Sequence, residues 1–364
     1  MNKDFLFSII MPVYNTEKYI EKSLQSVYEA IDTDCEVIIV NDGSKDDSEK
    51  VILKFLENLP EKFKDNFVYT KKENKGLADT KNVGIEMSRG KYISVVDSDD
   101  CISKDFYKVA REYIKEGYEI IIYDVYVVFE NKQNVDYASR AYSDYKKDYL
   151  AGLLNGAISG SSCNKIIKKE LYSEHQFPVG KEYEDTAVTP FILSETNKIK
   201  YLPYAMYYYL QRGKSIVATN TLEMAFYKIC ENISKVISEK SKNNNEDEIC
   251  KKYEFVINEF IIDRMLDYFI SDYNLNKKEF INNIKSFSED NRNTIEYIIK
   301  NNLVNNIQNH YSTRQKEMLV RILNYLKDNE YKNVVKELQK RKLLNYVRKI
   351  MDNMKQFIKA ILGK

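Results

Sequence analysis

The chain lacks tryptophan and has only two histidines and five cysteines among its 364 residues. The cysteines form no CxxC pair and their number is odd, which argues against a zinc site and a disulfide framework. No apolar run reaches the ~18 residues that a membrane-spanning helix needs. The first residues also lack the apolar core and cleavage pattern of a signal peptide. We therefore expect a cytoplasmic protein in a reducing compartment.

The chain also lacks an excess of charge of one sign. It has 56 basic and 55 acidic residues, a net charge of +1, which argues against a dedicated nucleic-acid binder. No GxGxxG follows the first apolar run, so a dehydrogenase is disfavoured. A nucleotidyltransferase is disfavoured because no glycine-rich phosphate loop occurs early in the chain. With 43% hydrophobic and 30% charged residues, a packed core is expected.

Short apolar runs alternate with helical patterns up to about Ser215. The strand-like runs are Phe7–Val13, Cys35–Val40, Phe67–Lys71, Tyr92–Val96 and Glu119–Phe129, and the helical segments between them are Glu17–Ala30, Asp46–Leu59 and Leu77–Ser88. Thr16 is a candidate N-cap for the first helix. The alternation predicts an α/β fold with βαβ units and a mainly parallel sheet flanked by helices. In such sheets ligands bind beyond the carboxyl ends of the strands.

The character of the sequence changes after Ser215. Glycine and proline become rare, apolar residues recur at helical spacing, and the polar segments 243–247 and 286–293 resemble helix connections. This pattern predicts an all-helical C-terminal region. We therefore predict two domains, 1–217 and 218–364, the second with an acceptor, oligomerisation or membrane-surface role.

Polar residues follow the predicted strands at the edge where a ligand is expected. Tyr14 follows the first strand, Asp42 the second, and Asp97, Asp99 and Asp100 the fourth. Three carboxylates within four positions repel one another unless a cation lies between them. Taken singly, these segments are also compatible with an ordinary turn, a helix cap or a solvated acidic turn.

Four segments in order carry a specific resemblance: SIIMPVYN (8–15), EVIIVNDGS (36–44), KGLADTKNVGI (75–85) and GKYISVVDSDD (90–100). Together they resemble the amino-terminal half of family 2 of the inverting, nucleotide-sugar-dependent glycosyltransferases, of the type found in bacterial cell-surface polysaccharide or teichoic-acid synthesis. The resemblance extends to about Ser215. It implies a GT-A fold and transfer of a sugar from a nucleotide diphosphate donor, expected to be a UDP-sugar, to a hydroxyl of a glycan or lipid-linked acceptor.

Asp97-Ser98-Asp99 resembles the DXD element of that family. The resemblance implies that Asp99 binds Mn²⁺ or Mg²⁺ and that Asp97 contacts the ribose or the metal shell, with Ser98 in the donor site. Asp100 would either hold Asp97 and Asp99 in place without touching the donor, or contact the acceptor. The physical reason is that carboxylates can hold a negatively charged diphosphate only through a hard cation, which accepts both kinds of oxygen.

The resemblance also implies a pocket for the base of the donor. Pro12, Tyr14 and Asp42 would line it, and Asp42 would accept a hydrogen bond from an N–H such as that of uracil. Lys81 stands where many members have arginine. It keeps the charge but loses the planar, bidentate geometry of a guanidinium, so it would contact the base or phosphate as a point charge.

The segment YYYLQRGKSI (207–216) resembles the family's YYxxR…SI element. The resemblance implies that Arg212 and Ser215 reach the diphosphate, and Lys214 is a further candidate for this contact. Some GT-A enzymes add a histidine ligand to the metal, but neither His175 nor His310 lies in the matching position. We therefore expect Asp99, the diphosphate and water to supply most of the metal ligands.

The segment FPVGKEYED (177–185) resembles the family's F-P-x-G…E-D stretch, with a helix expected over 185–196. The resemblance implies that Asp185 is the general base that takes the proton of the acceptor hydroxyl. Glu184 would orient Asp185 or the sugar. The alternative is that both carboxylates only stabilise the start of the helix.

Residues 343–362 place apolar side chains on one helical face and mostly basic ones on the other. Such a helix can lie on an anionic membrane surface, or it can pack on the helical region or on a second copy of the chain in a homo-oligomer.

A different class of function also stays open. A non-catalytic sugar-nucleotide or glycan-binding module, or a scaffold, would bind donor without turnover and tolerate Asp185→Asn.

Overall fold

The computed structural model describes residues 4–129, 135–137, 149, 159–180, 182–212, 285, 296, 299–300 and 313–337. The chain divides into two compact units, Met1–Thr221 and Leu222–Lys364. Our domain limits, 1–217 and 218–364, stay a prediction. Most of the predicted helical region lies outside the described residues. Among the helices that are described, none has the length and apolar character needed to cross a membrane.

The described part of the first unit contains nine strands, six α-helices and one 3₁₀ helix (Lys169–Tyr172), and the described part of the second unit includes the α-helix Thr313–Lys327. The strands are β1 (Phe7–Val13), β2 (Cys35–Asn41), β3 (Phe67–Lys71), β4 (Tyr92–Val95), β5 (Cys101–Ile102), β6 (Ile120–Phe129), β7 (Val135–Tyr137), β8 (Lys165–Lys168) and β9 (Ile199–Gln211). The helices are α1 (Ile20–Ala30), α2 (Ser48–Glu57), α3 (Glu61–Lys64), α4 (Leu77–Met87), α5 (Phe106–Lys115), α6 (Glu184–Ser194) and α7 (Thr313–Lys327).

The strands form one mixed sheet with the order β3-β2-β1-β4-β8-β6-β9-β5, and β7 pairs with β6. The first four strands in this order are parallel, and β6 and β9 are parallel to each other. β8 runs antiparallel between β4 and β6 and joins the two parallel parts. The prediction of an α/β fold with a mostly parallel sheet flanked by helices is confirmed for this unit.

Burial on both faces explains the continuous apolar strands. Every residue of β1 and β2 is buried, because helices cover both sides of the sheet. α1 packs Ile20, Leu24 and Val27 into the core. α4 approaches β1 closely at Gly84, where a Cβ atom would clash with the side chain of Ile10. Lys81, one turn before Gly84 in α4, is also buried.

One prediction about α1 is wrong in its details. The helix begins at Ile20 rather than Glu17, and Thr16 makes no side-chain capping hydrogen bond. The Thr16 hydroxyl instead donates to Ser98 Oγ at 3.1 Å. The threonine therefore links the end of β1 to the acidic segment after β4, and the chain needs three more residues before the helix starts.

Candidate functional site

The carboxyl ends of β1, β2 and β4 lie side by side at one edge of the sheet. Tyr14, Asp42 and Asp97 follow these strands, as the sequence predicts. Tyr14 is 46% exposed, whereas Pro12 is buried within β1 opposite Val40. The exposed ring of Tyr14 is thus available to a flat ligand. The predicted contact of Pro12 with a base stays a prediction.

Asp42 fixes the loop that leads into α4. Its buried carboxylate accepts hydrogen bonds from the backbone N–H groups of Lys75 (3.0 Å) and Gly76 (2.9 Å) and from the Lys72 ammonium. Lys72 also contacts Asp79 at 2.7 Å. A carboxylate has about four lone-pair positions, so these three contacts leave about one for a ligand. The proposed contact of Asp42 with a base N–H stays a prediction.

The four residues of the DSDD segment point to different partners. Ser98 is buried and accepts from Thr16, so its hydroxyl supports the loop. Asp99 forms an ion pair with Arg212, with Oδ2 and Nη2 2.6 Å apart. Asp100 is buried and accepts from the Tyr207 hydroxyl and the Leu210 backbone N–H, both at 2.7 Å. Asp100 therefore holds β9, the strand that carries Arg212 to the site.

Asp97 is the exception, because its Oδ1 is buried with no hydrogen-bond partner among the described residues. Burial raises the pKa of Asp97 to about 7, opposed by the positive charge of Lys81. The fully buried Glu36, by contrast, accepts from Ser8 Oγ at 2.6 Å and from the Arg89 backbone at 2.5 Å. Buried polar atoms are nearly always paired. Asp97 Oδ1 is thus a candidate contact for a hydroxyl or cation from a ligand.

Lys81 connects this acidic segment to the residues at the start of α6. It is 1% exposed, and its ammonium donates to Glu184 Oε1 at 2.8 Å and Asp185 Oδ1 at 2.6 Å. Burial alone would lower the pKa of Lys81, but the charges of Asp185 and Glu184 raise it well above its ordinary value. The sequence predicts a contact with base or phosphate, whereas the ammonium of Lys81 contacts the two carboxylates and the Phe177 ring, 5.2 Å from its centroid.

Asp185 is held by a loop as well as by Lys81. Its Oδ1 accepts from the Ser162 hydroxyl at 2.9 Å, and its Oδ2 accepts from the Ser162 backbone N–H at 3.0 Å and from Ser161 Oγ at 3.5 Å. Burial would raise the pKa of Asp185, but Lys81 and these hydrogen bonds hold it below the ordinary value. Burial raises the pKa of Glu184. Of the two carboxylates, Asp185 is therefore the one whose ionised form this environment favours.

Sequence reasoning missed three supporting groups. Ser161 and Ser162 contact Asp185, and the Asn82 side chain both donates to the Phe177 carbonyl (2.8 Å) and accepts from its N–H (2.9 Å). The sequence presents Tyr207 only as one of three consecutive tyrosines. The small polar run SGSS before β8 was the one available signal, because small residues allow a loop to approach a carboxylate closely.

The described residues contain no group of three or more histidine, cysteine, aspartate or glutamate side chains that could hold a metal ion by itself. Asp97 and Asp99 nevertheless offer the hard carboxylate oxygens that Mg²⁺ and Mn²⁺ prefer. The unpaired Asp97 Oδ1 fits such an ion if phosphate oxygens and water complete its coordination. His175 is buried, contacts Glu195 and stacks on Phe191.

Several predicted residues lie outside the described part of the chain. These are Lys214, Ser215, His310 and the amphipathic segment 343–362. Their predicted roles stay predictions.

Comparison with known proteins agrees with the motifs. Residues 8–176 match the model of Glycosyl transferase family 2. The chain is 28% identical over 227 residues to Glycosyltransferase GlyG of Streptococcus pneumoniae serotype 4, which covers 59% of this chain and 73% of that protein. It is 29% identical over 229 residues to the minor teichoic acid biosynthesis protein GgaB of Bacillus subtilis, covering 59% of this chain but only 24% of GgaB.

The fold also resembles a solved structure along most of its length. Against S. aureus TarS 1-349 in complex with UDP-GlcNAc the TM-score is 0.63 at 20% identity, over 93% of this chain and 92% of that one. The fold expected from the sequence, GT-A, is thereby confirmed. Residues 8–176 thus match Glycosyl transferase family 2, and this part of the chain is similar to proteins named as glycosyltransferases.

Proposed function

We propose that this protein transfers a sugar, with inversion and with the help of a divalent cation, from a UDP-sugar to a hydroxyl of a glycan or lipid-linked glycan acceptor. One observation carries the proposal. Lys81 holds the ionised Asp185 beside Asp97, the carboxylate with an unpaired buried oxygen. A candidate base and a candidate donor-binding carboxylate thus lie near one buried cation, and transfer to a hydroxyl needs a base to take its proton.

On the donor side, Asp99 and Asp97 would hold the cation together with the diphosphate, and Tyr14 would stack on the base. Mn²⁺ or Mg²⁺, when bound, would neutralise negative charge on the leaving diphosphate. Arg212 now pairs with Asp99 at 2.6 Å. In the proposed complex Arg212 turns from Asp99 to the diphosphate, whose oxygens can accept both of its outer N–H groups.

On the acceptor side, Asp185 takes the proton of the attacking hydroxyl. Its Oδ1 is occupied by Lys81 and Ser162, but on Oδ2 the contact with Ser161 Oγ is long, at 3.5 Å. An acceptor hydroxyl can replace Ser161 there and donate its proton to Oδ2. Glu184 shares Lys81 and so keeps the ammonium between the two carboxylates. A single base acting on the face opposite the leaving group gives inversion.

The substrate class rests on the named relatives. GgaB is described as a minor teichoic acid biosynthesis protein, and one of the TarS structures contains UDP-GlcNAc. These names support a UDP-sugar donor, with UDP-GlcNAc the first to test, and an acceptor in cell-surface polysaccharide synthesis. Contact with the inner face of the membrane through residues 343–362, and a homo-oligomer, are further parts of the proposal.

The test is donor hydrolysis by the purified chain across a panel of nucleotide sugars with Mn²⁺, Mg²⁺ or EDTA, since many such enzymes slowly pass the sugar to water. We expect metal-dependent release of UDP from one donor. Asp99→Asn should abolish it, and Asp185→Asn should lower transfer to an acceptor by about 10²–10⁴-fold, the usual contribution of a general base. Asp65→Asn, at an exposed aspartate after α3, is the matched control and should behave like the wild type.

A second candidate, a non-catalytic sugar-nucleotide-binding module, is favoured by one observation. Lys81 and Ser162 already occupy most of the acceptor positions of Asp185. This module would bind UDP-GlcNAc in calorimetry but release no UDP, and Asp185→Asn would leave its function unchanged. Turnover that depends on Asp185 would exclude it.

A further inference from the structure

A buried lysine, Lys165, begins β8 and has no carboxylate in contact with it among the described residues. It is 1% exposed. Its ammonium donates to the carbonyl oxygens of Ser159 and Ser161, both at 2.6 Å, and to Asn164 Oδ1 at 2.9 Å. Burial lowers the pKa of Lys165 to about 8, so it still carries its charge at neutral pH. All three ammonium protons are therefore used on one short loop.

The loop that Lys165 holds, residues 159–164, is the one that contacts Asp185. Ser162 donates to Asp185 through both its backbone N–H and its hydroxyl. The other side of the loop is fixed to α6, because Thr189 donates to the Gly160 carbonyl at 2.7 Å. Gly160 is needed there, since a Cβ would lie 2.6 Å from Thr186 Cγ2.

Peptide geometry links the two sets of contacts. The carbonyl of Ser161 and the N–H of Ser162 belong to the same peptide unit, and in a trans peptide they point in opposite directions. When Lys165 holds the Ser161 carbonyl on one side, the Ser162 N–H must face the other side, where Asp185 lies. The ammonium thus determines the orientation of a donor that it does not touch.

We propose that Lys165 is a positioning residue for the general base: it orients the Ser161–Ser162 peptide so that Ser162 donates to Asp185 and keeps its carboxylate ionised and correctly placed. The inference rests on the proposed function of Asp185 as the base. A lysine suits this task because its ammonium has three N–H donors, one for each of the three neutral oxygens. A carboxylate paired with Lys165 would draw the ammonium away from these oxygens.

The test compares Lys165→Met, Lys165→Gln and Ser162→Ala with the wild type. We expect Lys165→Met to lower kcat by about 100-fold, the order expected when a reacting group moves by about 1 Å, with little change in the donor KM. The acid limb of the kcat/KM profile should move to higher pH, because a weakened Ser162 donor raises the pKa of Asp185. The Lys165→Met and Ser162→Ala effects should combine to less than their product.

A direct readout does not depend on turnover. The pKa of Asp185 is followed by ¹³C NMR of labelled aspartates, assigned with Asp185→Asn, and should rise in Lys165→Met. Lys165→Gln retains two N–H donors, and the same measurement is made on it if Lys165→Met does not fold. Lys169→Met is the matched control, because Lys169 donates to the Ser88 carbonyl at the opposite end of β8; its Asp185 pKa and kcat should be those of the wild type.

The outcomes separate the inference from the proposed function. An unchanged Asp185 pKa in folded Lys165→Met and Lys165→Gln, or a rate loss with an unshifted pH profile, would overturn the role of Lys165. Retention of turnover in Asp185→Asn would instead overturn the role of Asp185 as the base.

Discussion

At the scale of single residues, the site depends on one buried ammonium. Lys81 neutralises two carboxylates that would otherwise share a buried position. Lysine can do this as a point charge, contacting one oxygen of each carboxylate, and it needs no bidentate geometry. The substitution of lysine for the family's arginine is thus compatible with a role beside the base, where two separate acceptors must be reached.

Replacing Lys81 with methionine should affect both stability and rate. Breaking a buried pair by removing one partner costs about 3–5 kcal/mol, because Asp185 and Glu184 would be left uncompensated. Their pKa values should rise, so the acid limb of transfer activity should move toward neutral pH. Urea denaturation and a pH–rate profile measure the two effects.

Lys91→Met is the control for that experiment, since Lys91 is exposed just before β4. Its free energy of unfolding should match that of the wild type. A Lys81→Met protein of wild-type stability would contradict the importance of the buried ion pairs.

The pH dependence of stability should carry the signature of Asp185. Its pKa in the folded state lies below the ordinary value of 3.8, so its contribution to stability is present above 3.8 and is lost as the pH falls through the lower folded value. The free energy of unfolding should therefore fall more steeply below pH 4 in the wild type than in Asp185→Asn. Parallel curves for the two proteins would show that Asp185 is not selectively ionised in the folded state.

At the scale of elements, β9 is tied to the acidic segment by Asp100. Tyr207 donates its hydroxyl to Asp100 and accepts from the Asp97 backbone N–H at 3.1 Å. The Leu210 N–H adds a second bond from β9 to Asp100. β9, which ends one residue before Arg212, is thereby fixed against the segment that includes Asp97 and Asp99.

Tyr207→Phe should loosen this tie while preserving the ring. Loss of a buried hydrogen bond to a carboxylate costs about 1–3 kcal/mol, and the affinity for the donor should fall because Arg212 and Asp97 lose a shared support. Tyr208→Phe is a suitable control, because the Tyr208 ring stacks on Tyr126. Equal stabilities of the two variants, measured by urea denaturation, would contradict the role of the Tyr207 hydroxyl.

The elements near the sheet edge could be predicted because they rest on local patterns. β3 has the predicted limits, Phe67–Lys71, and α4 ends one residue early. The start of α1 could not be predicted, since it depends on Thr16 contacting Ser98, 82 residues away in sequence. The Ser162–Asp185 contact likewise joins separate elements, and periodicity carries no information about such pairs.

At the scale of the whole molecule, every described carboxylate of the site comes from the first unit, Met1–Thr221. A fragment of residues 1–221 should therefore unfold cooperatively and hydrolyse the donor, while losing transfer to the acceptor if the second unit binds it. Circular dichroism, UDP release and acceptor assays on fragment and full chain measure these properties. A folded fragment without UDP release, beside an active full chain, would show that the donor site needs the second unit.

The ion pair between Asp99 and Arg212 affects how strongly the donor affinity depends on salt concentration. Before the donor arrives, each of these charges is already neutralised by the other at 2.6 Å. Binding then exchanges an internal pair for contacts with the cation and the diphosphate, so few mobile ions are released from the protein. The donor affinity should consequently change little with ionic strength, in contrast to a site that presents bare cationic groups to the solution.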